Sequence, residues 1–449
     1  MRSDTKSVEL NRKEQLRTAL SVARSKTLWL LDQVPDDFLR RRVHSFYSPI
    51  GWHFGHVGRT EEYWVIHKAL GRPVLDEQLS FLFADLPDNP KDNRVNIPDR
   101  AGAIDYLRRT REQVLFALDE CDLEQDDAYL LDGYAWEFAL QHECQHQETI
   151  TEMLQLIQKQ VPAINVELPP WKSHLVSTMI DVPGGCYVMG SDDRHGYDNE
   201  KSKHPVPVEP FRLSEHPVTA FQWTQFLEDG GYQRPELWTA AGWAWRESEG
   251  AVAPEYWIRQ SDGWAILAPL GPRAIHPDEP ASCLSWFEAD AFARWSGKRL
   301  PTEEEWEYAA TFDLDLGEAR RYPWGSEPAT PSRASYGLNS WSPSPVGTHT
   351  LGASALGFKD MAGGIWEWTS SKFLPYPGFR AFPYDGYSKE HMLGAHHVCR
   401  GGSWATAAPI LRCSFRNWYV PTYRQGLLGM RLAESLPVTE SSPASPFGV

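Results

Sequence analysis

The chain has 449 residues, 41% of them hydrophobic and 12% aromatic, so its length allows two or three domains with large cores. A formal charge of −16 and a pI near 5.4 argue against nucleic acid or an anionic membrane surface as partner, since neither would meet a basic face. No apolar leader opens the chain and no run reaches membrane-spanning length, so a soluble cytoplasmic protein with no evident obligate protein partner is expected.

The first 160 residues carry four stretches with helical spacing. Over 10–33, Leu16, Leu20, Ala23, Thr27 and Leu30 recur at steps of three and four. The second stretch, 48–70, contains His53 and His56, and the third, 99–119, carries Ile104, Leu107, Val114 and Leu118. In the fourth, 134–159, the spacing runs through Ala135, Ala139, His142, His146, Ile150, Met153 and Ile157, so both histidines lie inside an apolar stripe. A four-helix bundle over 1–165 is the economical arrangement. Asp85 through Arg94, rich in Pro, Asn and Asp, predicts a loop able to wall a pocket. A linker follows at 166–179, then a second domain over 180–436 with short β-like runs and many tryptophans. The Pro- and Ser-rich segment 437–449 predicts a disordered tail.

His142-Glu143-Cys144-Gln145-His146 places two imidazoles one helical turn apart and pointing into a core. Buried imidazoles need partners for their ring nitrogens, and a divalent metal held by one nitrogen of each supplies them. His56, on the face that continues through Thr60, Tyr63 and His67, is the candidate third ligand, while His53 either supports the site or lies at the surface. Three imidazoles without a carboxylate leave positions open for substrate and dioxygen on iron(II), and suit zinc equally well. The same stretch reads H-E-x-x-H, which in a zinc hydrolase makes Glu143 the base on a metal-bound water. Cys144 is turned roughly 160–200° away from both histidines and is read as packing. The six cysteines include no C-x-x-C pair, so neither a disulfide framework nor a structural zinc ribbon is indicated.

Several blocks of the second half resemble the formylglycine-generating-enzyme (sulfatase-modifying factor) fold. They include Pro183-Gly184-Gly185, Lys298 through Ala310, Tyr322-Pro323-Trp324-Gly325 and Arg400-Gly401-Gly402-Ser403-Trp404. The resemblance implies a C-type-lectin-like α/β domain, hence an α+β multidomain chain. The closely spaced cysteine pair of the oxidase is missing, because Cys413 is preceded five residues earlier by Ala408. With a DinB-like bundle in front, and with Trp366-Glu367-Trp368, Tyr384-Asp385-Gly386-Tyr387 and Phe415-Arg416-Asn417-Trp418, nearly the whole chain resembles the ergothioneine-biosynthesis sulfoxide synthases. Selenoneine synthases share this architecture.

That resemblance implies a non-haem iron(II) enzyme that uses dioxygen to join a thiol or selenol donor to the imidazole of hercynine. It assigns His56, His142 and His146 to iron, and Gln145, Asn417 and Trp418 to hercynine. An amide can hydrogen-bond an imidazole, and an indole face suits a quaternary ammonium. A catalytic tyrosine is also implied, and Tyr384 is the first choice with Tyr387 second. At the donor end the chain departs from the γ-glutamylcysteine pattern: Tyr419 and Tyr423 replace an Asp and an Arg, Arg424 follows, and the upstream loop keeps Arg94 with Lys91 in place of a second arginine. Cysteine, a selenosugar, γ-glutamylcysteine and ovothiol-type coupling on histidine stay open, as do a zinc hydrolase and a binding module with a structural metal.

Overall fold

The computed structural model describes residues 2–160, 166–168, 170–173, 175–176 and 178–436. The expected tail at 437–449 lies outside the described residues, as do 161–165 at the end of the expected bundle and 169, 174 and 177 within the expected linker.

Five helices build the N-terminal part: α1 (Arg2–Asp32), α2 (Ile50–Glu61), α3 (Glu77–Leu82), α4 (Arg100–Glu120) and α5 (Tyr134–Ile157). Four are the expected bundle helices, and α3 is a single short turn-and-a-half that begins where Asp76 caps the Leu79 amide. The apolar stripes read from the sequence face inward except at Ile104, which is exposed because Ala103 and Leu107 hold the buried face of that turn. Leu16, Leu20 and Leu30 of α1, Leu107 and Val114 of α4, and Ile150 and Met153 of α5 are all buried in one core. One difference is local: α2 does not continue as an α-helix but widens into a π-helix over Glu62–Ala69. The wider turn re-aims the side chains after Glu61, and π segments of this kind recur at functional sites.

The second half contains short sheets joined by long irregular segments. Met179–Val182, Phe211–Ser214 and Ala433–Ser435 form a three-stranded antiparallel sheet in which the strand near the end of the described chain closes against the early ones. A four-stranded sheet combines β1 (Trp366–Lys372), β2 (His397–Arg400), β3 (Asn417–Tyr419) and β4 (Leu428–Gly429), in the order β3-β2-β1-β4. The residue blocks that resemble the sulfatase-modifying fold mostly build this scaffold. Thr302 caps the helix Glu303–Thr311, whose Glu303 accepts from Arg400 and Arg416 at 2.7 Å each, while Glu367 of β1 pairs with Arg431 at 2.7 Å. All of these side chains are buried, so each charge is held by a partner rather than by water.

Helix α5 joins the two halves. Its polar residues Gln141, Gln145, Glu148, Glu152 and Gln155, all buried except the half-buried Gln145, recur at steps of three and four and face the second half. The Glu148 carboxylate accepts from Trp366 Nε1 at 2.7 Å, Ser403 Oγ at 2.5 Å and Thr406 Oγ1 at 2.7 Å. A single hydrophobic core runs across this seam, from α1 and α5 to Trp223, Trp366 and Trp404. No described helix is long and apolar enough to cross a membrane.

Candidate functional site

His56 is fixed by the absence of a side chain next to it. A Cβ on Gly55 would lie 2.1 Å from the Phe83 ring, so only glycine lets that loop sit against α2. The Phe83 carbonyl then reaches His56 Nδ1 at 2.6 Å. A carbonyl only accepts, so Nδ1 carries the proton and Nε2 keeps its lone pair for a metal. Trp52 stacks on the His56 ring, with centroids 4.3 Å apart and planes 17° off parallel.

His142 and His146 come from α5, one helical turn apart and to one side of its polar stripe. Their rings lie 5.0 and 4.9 Å from that of His56 and 4.5 Å from each other. One nitrogen of each ring can be chosen so that all three lie within 4.8 Å of one another. His53 is buried rather than at the surface, and its Nδ1 lies 3.1 Å from His146 Nδ1. His142 Nδ1 is buried with no protein partner. Burial pushes His56 down to about 3 and holds His142 and His146 well below the usual imidazole range, with the neighbouring imidazoles adding to the effect. Three neutral, converging imidazoles, one with an orphaned nitrogen, fit a divalent metal with no protein carboxylate.

Glu143 does not face this centre. Its carboxylate accepts from Arg24 Nε at 2.9 Å, Thr27 Oγ1 at 2.7 Å and Arg111 Nη2 at 2.6 Å, and Glu61 completes the cluster through the same two arginines. Burial raises the Glu143 carboxyl, but the two guanidiniums outweigh it and the net shift is downward. The middle of H-E-x-x-H is therefore a bundle-core ion pair, which leaves no free base for the hydrolase reading. Cys144 is buried in the hydrophobic core, and all six cysteines are free.

A cavity of about 260 Å³ opens beside the centre, lined by His56, His142, Arg59, Tyr63, Trp64 and Tyr384 among others. Tyr384 stands at its rim, its ring stacked over Trp64 at 5.4 Å, and burial raises its hydroxyl to about 12. Tyr387 sits deeper, where its hydroxyl accepts from Gln145 Nε2 at 3.0 Å. Tyr197, a residue no sequence pattern singled out, donates to Gln145 Oε1 at 2.9 Å and stacks on Tyr387 at 4.3 Å. The Gln145 amide is thus held from both ends. Trp418 lies 5.8 Å from the Tyr387 ring, with its own ring stacked on Phe373 at 4.2 Å. Asn417, beside it on β3, donates to the Tyr419 hydroxyl at 3.3 Å.

Comparison with known proteins matches both halves. The sulfatase-modifying factor enzyme 1-like domain family matches residues 166–436, and the DinB superfamily matches 19–150. The hercynine oxygenase of Mycolicibacterium smegmatis is 38% identical over 438 residues, covering 94% of this chain and 99% of that protein. Its counterpart in Mycolicibacterium thermoresistibile is 39% identical over 444 residues, covering 95% and 96%. The chain belongs to the hercynine oxygenase family. The formylglycine-generating enzyme of Streptomyces coelicolor is 32% identical over 298 residues, covering 59% of this chain and 91% of that protein.

Within this family member, the charged residues considered for the donor end are already engaged. Arg94 donates to the Asn89 carbonyl at 2.9 Å, Ser48 Oγ at 3.0 Å and Asp85 at 2.6 Å, and its guanidinium lies 4.5 Å over Trp52. Lys91 bonds the Phe46 carbonyl. Arg424 is buried and bound to Glu288 at 2.8 Å and to the Ala253 carbonyl, so the structure places it in a scaffold ion pair and not at the cavity. Tyr419 and Tyr423 stack at 4.3 Å, and the Tyr423 hydroxyl bonds Tyr47 and Glu152, the latter at 2.9 Å. Tyr47 and Glu152 escaped the sequence reading because a tyrosine before a helix and a glutamate on a polar stripe carry no distinguishing signal.

Proposed function

We propose that this protein is a mononuclear non-haem iron(II) enzyme that uses dioxygen to join a sulfur or selenium donor to the imidazole of hercynine. The observation that carries the reading is the triad of neutral imidazoles from His56, His142 and His146, converging beside a cavity in a chain similar over nearly its full length to hercynine oxygenases. An all-nitrogen set of three ligands with open positions suits iron(II), which when bound supplies the means to activate dioxygen. In this reading Gln145, clamped by Tyr197 and Tyr387, hydrogen-bonds the substrate imidazole with Trp418 packed against Tyr387, and Asn417, the neighbour of Trp418 on β3, completes the hercynine set. A trimethylated ammonium cannot accept or donate a hydrogen bond and is best held against an aromatic face, the role given to Trp418.

Tyr384 is the proton donor of this reading. Its hydroxyl stays neutral at physiological pH and it lines the cavity together with His56 and His142. Tyr387 positions Gln145. At the donor end, Tyr419, Tyr423, Arg94 and Lys91 shape the donor's surroundings, and the loss of the acid and base found in the γ-glutamylcysteine pattern favours cysteine or a selenosugar over that dipeptide.

The test is direct. Iron(II)-loaded protein is incubated under oxygen with hercynine and, separately, cysteine, γ-glutamylcysteine or a selenosugar, and products are followed by mass spectrometry. An oxygen-dependent adduct carrying the hercynine imidazole is expected with one donor. No adduct with any of them would sink the reading, as would stoichiometric zinc that supports hydrolysis after anaerobic purification.

A further inference from the structure

Two cations line the same cavity as His56 and His142: Arg59, one turn beyond His56, and Lys68. Among the described residues neither forms an ion pair. Arg59 Nε is buried with no hydrogen-bond partner. The Arg59 guanidinium lies 4.1 Å from the Tyr63 ring centroid, and Lys68 Nζ lies 5.4 Å from the same centroid. The π-helix brings this about. With five residues per hydrogen-bonded turn, Lys68 rather than His67 joins Tyr63 at the cavity, while His67 is exposed and bonds the Arg72 carbonyl.

Two positive groups over one ring repel each other, and burying a charge without a partner is costly. The nearby acids relieve this only in part: Glu62 acts on Arg59 through space, without a hydrogen bond to it among the described residues. Asp85, which also lines the cavity, is bound to Arg94 at 2.6 Å, and Glu62 accepts from the Tyr106 hydroxyl at 2.8 Å and from the Leu75 amide. Elsewhere in this strongly acidic chain the buried guanidiniums of Arg24, Arg111, Arg400, Arg412, Arg416 and Arg431 are all matched to carboxylates. Burial lowers Arg59 below the ordinary guanidinium value.

We infer that Arg59 and Lys68 form a carboxylate subsite that anchors an amino-acid-derived substrate beside the three-histidine centre. The inference rests on the coupling reading above for the identity of that substrate. The planar Arg59 fork, stacked on Tyr63 and free at its edge, takes a carboxylate in a bidentate manner, and Lys68 adds a second, mobile charge. Hercynine and a cysteine-type donor both carry the required group.

Anaerobic calorimetry on the full-length, iron-loaded protein tests it with hercynine, its decarboxylated analogue trimethylhistamine, cysteine and cysteamine. Arg59→Gln should weaken one carboxylate ligand about tenfold or more while leaving its decarboxylated partner unchanged. Loss confined to hercynine or to cysteine names the source. Arg59→Lys should recover part of the affinity, and Lys68→Gln, at a more exposed position, should show a smaller loss of the same selectivity even where Arg59→Gln fails to fold. Equal affinity of wild type and both variants for all four ligands overturns the subsite, as does a wild type that binds neither carboxylate. Selective binding without any coupled product overturns the coupling reading and leaves the subsite standing, whereas coupling with an unchanged KM in Arg59→Gln does the reverse.

Discussion

His53 and His146 meet through their Nδ1 atoms at 3.1 Å, an imidazole-to-imidazole contact behind the candidate metal face. One of the two must donate. If His146 donates, its Nε2 is free to ligate, and His53 is left holding a proton on its buried, unpartnered Nε2. In the proposed ligand set, His53 would thereby fix the tautomer of His146 without being a ligand itself. His53→Ala should retain metal with affinity lowered roughly 10–100-fold, the usual cost of losing a ligand's supporting partner. His56→Ala should lose metal and coupling together. Metal content by inductively coupled plasma analysis decides, and the opposite ranking would show that the ligand assignment is wrong.

Glu143 is expected to matter for folding and not for chemistry. Removing one member of a buried ion cluster leaves uncompensated charge, at a cost of about 3–5 kcal/mol. Here the residue lost would leave Arg24 and Arg111 facing Glu61 alone. Glu143→Ala should therefore lower the denaturation midpoint sharply while the folded fraction keeps its metal and its turnover per folded molecule. Full stability with abolished turnover would return Glu143 to the role of a base.

Much of this arrangement was legible in the sequence because helices advertise their inward faces. The stripe from Ala135 to Ile157 already placed His142 and His146 in a core, and Pro- and Asn-rich composition marked 85–94 as a loop. What stayed hidden is what periodicity cannot distinguish. The Gln141, Gln145, Glu148, Glu152, Gln155 stripe has the spacing of a solvated helix face, yet it is packed against the second half, where hydroxyls and an indole satisfy it. Arg59 and Lys68 share a cavity only because the helix widens after Glu61, and no local residue choice announces that change. Arg424 looked like a free cation beside Asn417 and Trp418, but its partners Glu255 and Glu288 lie more than a hundred residues away in sequence.

Glu152 makes the seam between the halves pH-dependent. Burial, reinforced by Glu148, raises its carboxyl to about 8, while the Tyr423 and Tyr47 hydroxyls bond it at 2.9 and 3.1 Å. A folded-state value above the unfolded one means the native protein holds the extra proton. Its stabilising contribution is complete below the ordinary carboxyl range near 4.5 and falls away as pH rises towards 8. Glu152→Gln, which cannot ionise and still accepts through its carbonyl, should flatten that slope and stabilise the protein at pH 8 by an amount on the order of a few kcal/mol. Urea denaturation of both proteins at pH 5 and pH 8 measures it, and parallel pH profiles would rule the role out.

Tyr384 and Tyr387 separate by what their hydroxyls touch. Tyr387 gives its oxygen to the Gln145 amide, whereas the Tyr384 ring packs on Trp64 at the cavity rim. Tyr384→Phe keeps that stacking and deletes only the transferable proton, so kcat for coupling should fall roughly 100- to 10,000-fold with metal content and the KM for hercynine little changed. Tyr387→Phe leaves Gln145 tethered only to Tyr197, and a loosened amide should raise the KM for hercynine more than it lowers kcat. Because Tyr384 is raised to about 12, its phenol remains protonated across pH 6–10, and the wild-type rate should show no loss in that window traceable to it. Steady-state kinetics on both variants is the measurement. A full rate in Tyr384→Phe beside a collapsed kcat in Tyr387→Phe would move the proton-donating role to Tyr387 and make Gln145 its positioning partner.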